Sequence, residues 1–440
     1  MPVPALPSTN VFLSRKGYFL LTLLVLYTTL FGWFNWNSWC IILLAACRLW
    51  EGRILENIRS AFSNKLFLAY FALFIVEAAG FLHTHNMGDS GKVISKDATL
   101  VAIAFTLLGG RFADEKTFSR LMLGYCLGVL AASLACLGIA AHRYLKTGDT
   151  GLFFYHALTS PISQNAVFYS VYVLFALIFL LSADGNAALS RLSPAARKGV
   201  LLSLSLFFLG LIVLLSSKLI LVLAVIVVAA FFLRRYRFRE NKRIFLGLGL
   251  VAFVLIGILA ATNNPIRQRY LELAQGNLKL IEQEKFNPNV YFNALQSRLL
   301  QYRFAGEILK EHHAWLFGVS PGDSQDLLDQ KYIDANMWIG DPKEGPHRKI
   351  RGYIGYNFHN QYVETYVRDG IPGLAVLLFI FIFLLTQLVR RWKTTQTAFI
   401  VLTLMVFFIP EAPLTMQTGI FLFCFFPLLA FYSRRGIPSF

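Results

Sequence analysis

The sequence predicts an all-α, polytopic membrane protein with one long helical loop outside the bilayer. Three observations carry this. The 440 residues are 56% hydrophobic and only 15% charged, against about 25% charged in soluble domains. The apolar residues fall into runs that approach the ~20 residues a helix needs to cross the hydrocarbon core. Lys and Arg fall mostly on alternate sides of those runs, which is how membrane topology is written in a sequence.

About twelve spans can be placed, near 17–34, 37–50, 65–82, 97–110, 119–141, 162–182, 199–215, 219–233, 244–262, 371–389, 396–410 and 418–432. The second, fourth and eighth are short, so they need snorkelling residues at their ends or protein at their sides. With the N-terminus inside, the inner connections hold 23 Lys and Arg, including the run from Arg234 to Arg243, and the short outer loops hold five. That asymmetry sets both termini in the cytoplasm. The basic pair Arg15–Lys16 precedes an apolar run with no small-residue cleavage site, so this run reads as a first anchor.

The net charge of +17 would ordinarily raise nucleic acid as a partner. Its distribution between spans argues for membrane lipids instead and excludes nucleic acid. All five cysteines, Cys40, Cys47, Cys126, Cys136 and Cys424, lie inside apolar runs and read as small buried hydrophobes, not a disulfide framework.

Three regions follow: 1–262 with nine spans, 263–357 as the long outer loop, and 358–440 with the last three spans. A loop of that length is functional or a small domain by default. Asn264-Pro265 is a helix start signal. Tyr291, Leu295, Leu299, Tyr302, Gly306 and Leu309 recur at three- and four-residue steps and predict one helical face, flanked by Arg298 and Arg303. His312-His313 and the turn-rich stretch from Trp315 to Asp323 end it.

Next come His359-Asn360, nine residues, then Gly370-Ile371-Pro372-Gly373. On a helix His359, Tyr362, Tyr366 and Gly370 share a face. Asp369-Gly370 and Pro372 predict a break before the tenth span. Glu364 and Arg368 stand four apart and are expected to pair. Neither His83 with His85 nor His312 with His313 has a third ligand at metal-site spacing, so no metal is expected.

The pattern His359-Asn360, nine residues, Gly370-x-x-Gly373 resembles the signature of the O-antigen ligase and O-antigen polymerase superfamily. Arg298 followed by Trp315-Leu316-Phe317-Gly318 resembles its loop pattern. Ser216-Ser217-Lys218 resembles the Ser-Arg that opens a span in that family, with Lys where many members carry Arg. The stretch from Glu411 to Gln417 before the Phe-rich last span is also similar.

The resemblance covers roughly residues 205–430, and among family members it lies closest to the ligases. It implies a variant of the C-type glycosyltransferase membrane fold in the inner membrane. It also implies inverting, metal-independent transfer of a glycan from undecaprenyl diphosphate to a sugar hydroxyl of lipid A-core on the periplasmic face, with no cofactor. His359 is then the expected base. Lys218, Arg298 and Arg303 are the expected diphosphate ligands, and Asn360, Gly370 and Gly373 the expected structural residues. A polymerase of the same superfamily is the alternative reading. A lipid-linked sugar transporter is a third, weakened by the lack of an internal repeat.

Overall fold

A computed structural model describes residues 15–50, 54–108, 115–235, 267, 271, 277–340, 352–390 and 395–432. The described residues are helical and contain no strand. Every predicted span except the ninth coincides with a helix. The ninth, 244–262, and the helix start at Asn264-Pro265 lie outside the described residues.

The first helices are α1 (Arg15–Leu30), α2 (Phe34–Trp50), α3 (Ile54–Phe62), α4 (Lys65–Ala79), α5 (Met87–Leu108) and α6 (Glu115–Thr147). The short α7 (Tyr155–Thr159) leads to α8 (Ala166–Leu181), α9 (Ala183–Ala188), α10 (Pro194–Leu215) and α11 (Lys218–Arg235). The long segment between α11 and the last three helices contributes α12 (Ala294–Glu311) and α13 (Ser324–Asp334). The chain finishes with α14 (Gln361–Arg390), α15 (Thr395–Phe407) and α16 (Gln417–Tyr432).

Among the described residues, four stretches are long and apolar enough to cross a membrane: Lys65–Leu82, Thr117–Thr147, Pro194–Leu215 and Gln361–Leu388. A fifth arises if Tyr155–Ile162 and Ala166–Leu181, bent by 81°, form one broken span. Lys16–Leu30, Gln396–Phe407 and Gln417–Leu429 are apolar but shorter.

The bundle is built around α8, whose residues from Phe168 to Leu180 are all buried. A helix apolar all round belongs in the middle. Its tyrosines bury their rings and send their hydroxyls to backbone carbonyls, as buried phenols must. Tyr172 donates to Thr418 O at 3.1 Å, and Tyr125 on α6 donates to Tyr172 O at 2.6 Å. Tyr70 on α4 ties to α16 through Phe423 O at 3.1 Å. Phe381, Phe408 and Phe423 meet at ring separations of 5.2–5.4 Å and join α14, the end of α15 and α16.

Two expectations change. The fourth span is expected to start near residue 97, but α5 begins at Met87. Its first turns are polar because Asn86 caps Asp89 N–H at 3.0 Å and donates to Asp326 of the outer loop at 2.7 Å. The second change concerns α12. The helix exists, opened by a capping box between Asn293 and Gln296. Its buried face, however, runs through Leu300, Phe304, Ile308 and Leu309, of which only Leu309 belongs to the predicted stripe. Tyr291 and Leu295 of the predicted stripe are 74% and 39% exposed. The buried face packs on Phe286, Phe292, Leu328, Tyr332, Phe358 and Val367, forming a second core apart from that of the bundle.

The break before the tenth span is present. Gly370 has φ 64° and ψ −155°, a region open essentially to glycine alone. Ile371 N–H donates to Leu316 O at 3.0 Å across the break. Val319 N–H reaches Val367 O at 2.8 Å, and Ser320 N–H reaches Arg368 O at 3.0 Å. The 314–320 segment is thus laced to the interrupted helix. A Cβ on Gly318 would lie 2.4 Å from Arg368 O, and one on Gly373 would lie 2.4 Å from Asp369 Cβ.

Candidate functional site

His359 sits where the outer loop enters α14. Asn360 is the N-cap: its Oδ1 accepts from Tyr362 N–H at 2.9 Å and Val363 N–H at 3.1 Å. Its Nδ2 reaches Tyr302 Oη on α12 at 3.3 Å. His359 itself takes a left-handed backbone, φ 47°. Asn357 Oδ1 accepts its N–H at 3.0 Å.

The imidazole meets a carboxylate from the α15–α16 connection. His359 Nδ1 lies 3.5 Å from Glu411 Oε2, with side-chain exposures of 31% and 13%. That is longer than a settled hydrogen bond, though catalytic contacts commonly tighten when substrate arrives. Glu411 is held from its other oxygen by Arg298, whose Nη2 donates to Oε1 at 3.1 Å. Arg298 also donates from Nε to Pro410 O at 3.0 Å and from Nη1 to Ala294 O at 3.2 Å. Tyr302 donates to Ile409 O at 3.3 Å. Gln361 N–H donates to Phe408 O and Glu411 O at 2.9 and 3.0 Å, and Gln361 Oε1 accepts from Leu414 N–H at 2.7 Å. Residues 408–414 are therefore fastened to the start of α14, and Glu411 is held in place before any ligand binds.

Of the sequence candidates, the structure brings His359, Asn360 and Arg298 together. Arg303 is used elsewhere. Its guanidinium donates to Ile281 O and to Gln283 O, pairs with Glu307 at 3.0 Å and lies over the Phe304 ring. It fastens the 278–283 turn to α12, and none of these partners belongs to the His359 cluster. Lys218 opens α11 just after Ser216, which caps α10 in a left-handed conformation. Phe231 further along α11 meets Phe399 near the start of α15 at 5.4 Å, and Phe168 near the start of α8 meets Phe407 at 5.3 Å. With α10 packed along α8, Lys218 stands at the end of the bundle where α15 runs towards Glu411.

Glu411 enters the sequence reading only as the start of a family-like stretch and Tyr302 only as part of the α12 stripe; neither is expected at this cluster. The available signal was a carboxylate between Pro410 and Pro413 at the mouth of two apolar runs, where an unpaired charge has no cheap place to sit.

The expected Glu364–Arg368 pair is rearranged. Arg368, 2% exposed, sends Nη2 to Glu77 on α4 at 3.0 Å and lies 3.8 Å from Asp97 on α5. Glu364 accepts Phe358 N–H at 3.2 Å instead. Above them the loop is locked to the start of α5. Asp323 accepts the N–H groups of His85 and Asn86 at 3.0 and 2.8 Å and the Thr84 hydroxyl at 3.2 Å. Burial raises the Asp323 pKa, but the donors from His85 and Asn86 outweigh it and hold the carboxyl below its usual value. A cavity of about 600 Å³ opens beside this lock, lined by His83, His85, His312, Asp323 and Asp326 among others. It shares no lining residue with the His359 cluster. Among the described residues no group of three or more His, Cys, Asp or Glu is arranged to hold a metal ion.

Long apolar helices joined to a segment with its own core, with an imidazole, a carboxylate and a guanidinium fixed where the two meet, define a helical membrane protein with a candidate acid–base site. Residues 202–378 match the family model described as O-antigen ligase. The match supports the O-antigen ligase and polymerase superfamily for this part of the chain. It includes Lys218, Arg298 and His359 and ends before Glu411. No curated protein matches the chain.

Proposed function

We propose that the protein is an O-antigen ligase-type glycosyltransferase of the bacterial inner membrane. It moves a glycan from undecaprenyl diphosphate to a sugar hydroxyl of lipid A-core on the periplasmic face. About twelve crossings, cytoplasmic termini and a variant of the C-type glycosyltransferase fold belong to this reading. The observation that carries it is Glu411 lying between His359 and Arg298.

A proton on His359 Nδ1 facing Glu411 leaves Nε2 as the acceptor. Nε2 takes the proton of the acceptor hydroxyl as its oxygen attacks the anomeric carbon. The bond from that carbon to the diphosphate oxygen breaks on the opposite face, which inverts the centre. Negative charge then grows on the diphosphate, and fixed cations beside it lower the barrier. Lys218 supplies one. Arg298 supplies the other, because three of its five N–H groups are engaged and two remain. Glu411 stabilises the imidazolium while it exists. Arg303 is structural in this mechanism, since its guanidinium is spent on Ile281, Gln283 and Glu307.

The test is reconstitution in proteoliposomes with a lipid-linked glycan donor and lipid A-core acceptor. His359→Ala is expected to abolish transfer with donor binding retained. Glu411→Gln is expected to lower kcat by roughly 10²–10⁴-fold, the usual worth of positioned acid–base catalysis. Full activity of His359→Ala would remove the reading. Polymer extension on the carrier without transfer to lipid A-core would instead favour the polymerase.

A further inference from the structure

The left-handed backbone at His359 costs energy for any residue but glycine, so something must enforce it. Two hydrogen bonds bracket the turn. Asn357 Oδ1 accepts His359 N–H at 3.0 Å, and Glu364 Oε2 accepts Phe358 N–H at 3.2 Å. Phe358 is 1% exposed and packs in the loop core, so no solvent reaches its amide in place of Glu364. Glu364 is itself only 5% exposed. Its cationic neighbour one turn on, Arg368, is directed to Glu77. A buried carboxylate that turns to a backbone amide beside the reacting imidazole is a costly way to satisfy one donor, unless the geometry it fixes matters.

We propose that Glu364 is a positioning residue for glycan transfer. By accepting Phe358 N–H it holds His359 in the left-handed turn that aims the imidazole Nδ1 at Glu411. This rests on His359 being the base. The physical requirement is an acceptor oxygen at that place, reached by a side chain of this length. Glutamine meets it; leucine and aspartate do not. A displacement of about 1 Å at a reacting group can cost on the order of 10²-fold.

The experiment uses the full chain in proteoliposomes with lipid-linked donor and lipid A-core acceptor. Glu364→Gln should retain most of kcat. Glu364→Leu and Glu364→Asp should each lower kcat roughly 10- to 100-fold, with KM for both substrates unchanged. Asn357→Ala combined with Glu364→Asp should lose less than the product of the single losses, because both side chains hold one turn. The aspartate variant stands in if leucine prevents folding.

The proposal is overturned if Glu364→Gln falls as far as Glu364→Leu, if the loss appears in KM, or if the two single losses multiply. His359→Ala is run alongside. If that variant stays active, the assignment of the base has failed. If it is dead while Glu364→Asp is fully active, only the positioning role has failed.

Discussion

Replacing Gly370 by alanine tests whether the break in α14 fastens the loop to the bundle. Two costs follow from the geometry. An alanine held at φ 64° and ψ −155° is strained by about 1–3 kcal/mol. Its Cβ would also lie 2.2 Å from Leu316 O and 2.5 Å from Leu316 C. Those are backbone atoms and cannot swing aside, so the 314–320 segment must retreat from the helix. The bonds Ile371 to Leu316, Val319 to Val367 and Ser320 to Arg368 run through that contact, and each is worth about 0.5–1.5 kcal/mol. Strain plus one lost bond gives roughly 2–4 kcal/mol. In amide exchange this appears as roughly 30- to 1,000-fold faster opening at Val319 and Ser320. Gly306→Ala on α12, where a Cβ meets nothing within 4 Å, is the control and should be neutral or stabilising. Unchanged exchange at Val319 and Ser320 in Gly370→Ala would refute the reasoning.

Two further outcomes are expected. Arg368→Met removes the guanidinium from Glu77 and Asp97, leaving Lys96, 3.9 Å from Asp97, as the cation beside two buried carboxylates, and should cost about 3–5 kcal/mol in lipid or detergent unfolding; adding Glu77→Gln should recover part of the loss, and no recovery would mean the pair is not coupled. The Asp323 lock has a depressed carboxyl pKa, so its stabilisation is fully present above the unfolded value of about 4 and is lost as pH falls through the lower folded value. Protection of the His85 and Asn86 amides, corrected for intrinsic exchange, should hold from pH 7 to 5 and be lost only at pH below the unfolded value of about 4, and Asp323→Leu should lack it throughout.

Helix positions were legible because apolar runs of near-membrane length leave few other solutions, and because Lys and Arg mark the turns between them. The interruption at Gly370 was legible for a similar reason: Asp-Gly followed by Ile-Pro is hard to carry through a helix. What failed was anything decided by a distant partner. The start of α5 was missed because its polar first turns are stabilised by Asp326, more than two hundred residues away. The spacing on α12 gave the helix but not its inward face, because two sides carry apolar residues and only the packing of Phe292 and Tyr332 chooses between them. His359 and Arg298 were found by pattern. Glu411, which connects them, lies 113 residues from Arg298 in the chain, and its local signal, a carboxylate between two prolines, does not say which residues it meets. Glu364 and Arg368 look like an ordinary helical pair until α4 and α5 offer Glu77 and Asp97.

The second core draws Val367 from a bundle helix and Phe358 from the residue before His359. The 277–340 segment thus borrows part of its own interior from the helix that follows it. Cut free as a fragment ending at residue 357, it would be missing two of the side chains that fill it. It is better regarded as a cap grown from α14 than as a module that evolution, or an experimenter, can transplant onto another set of spans.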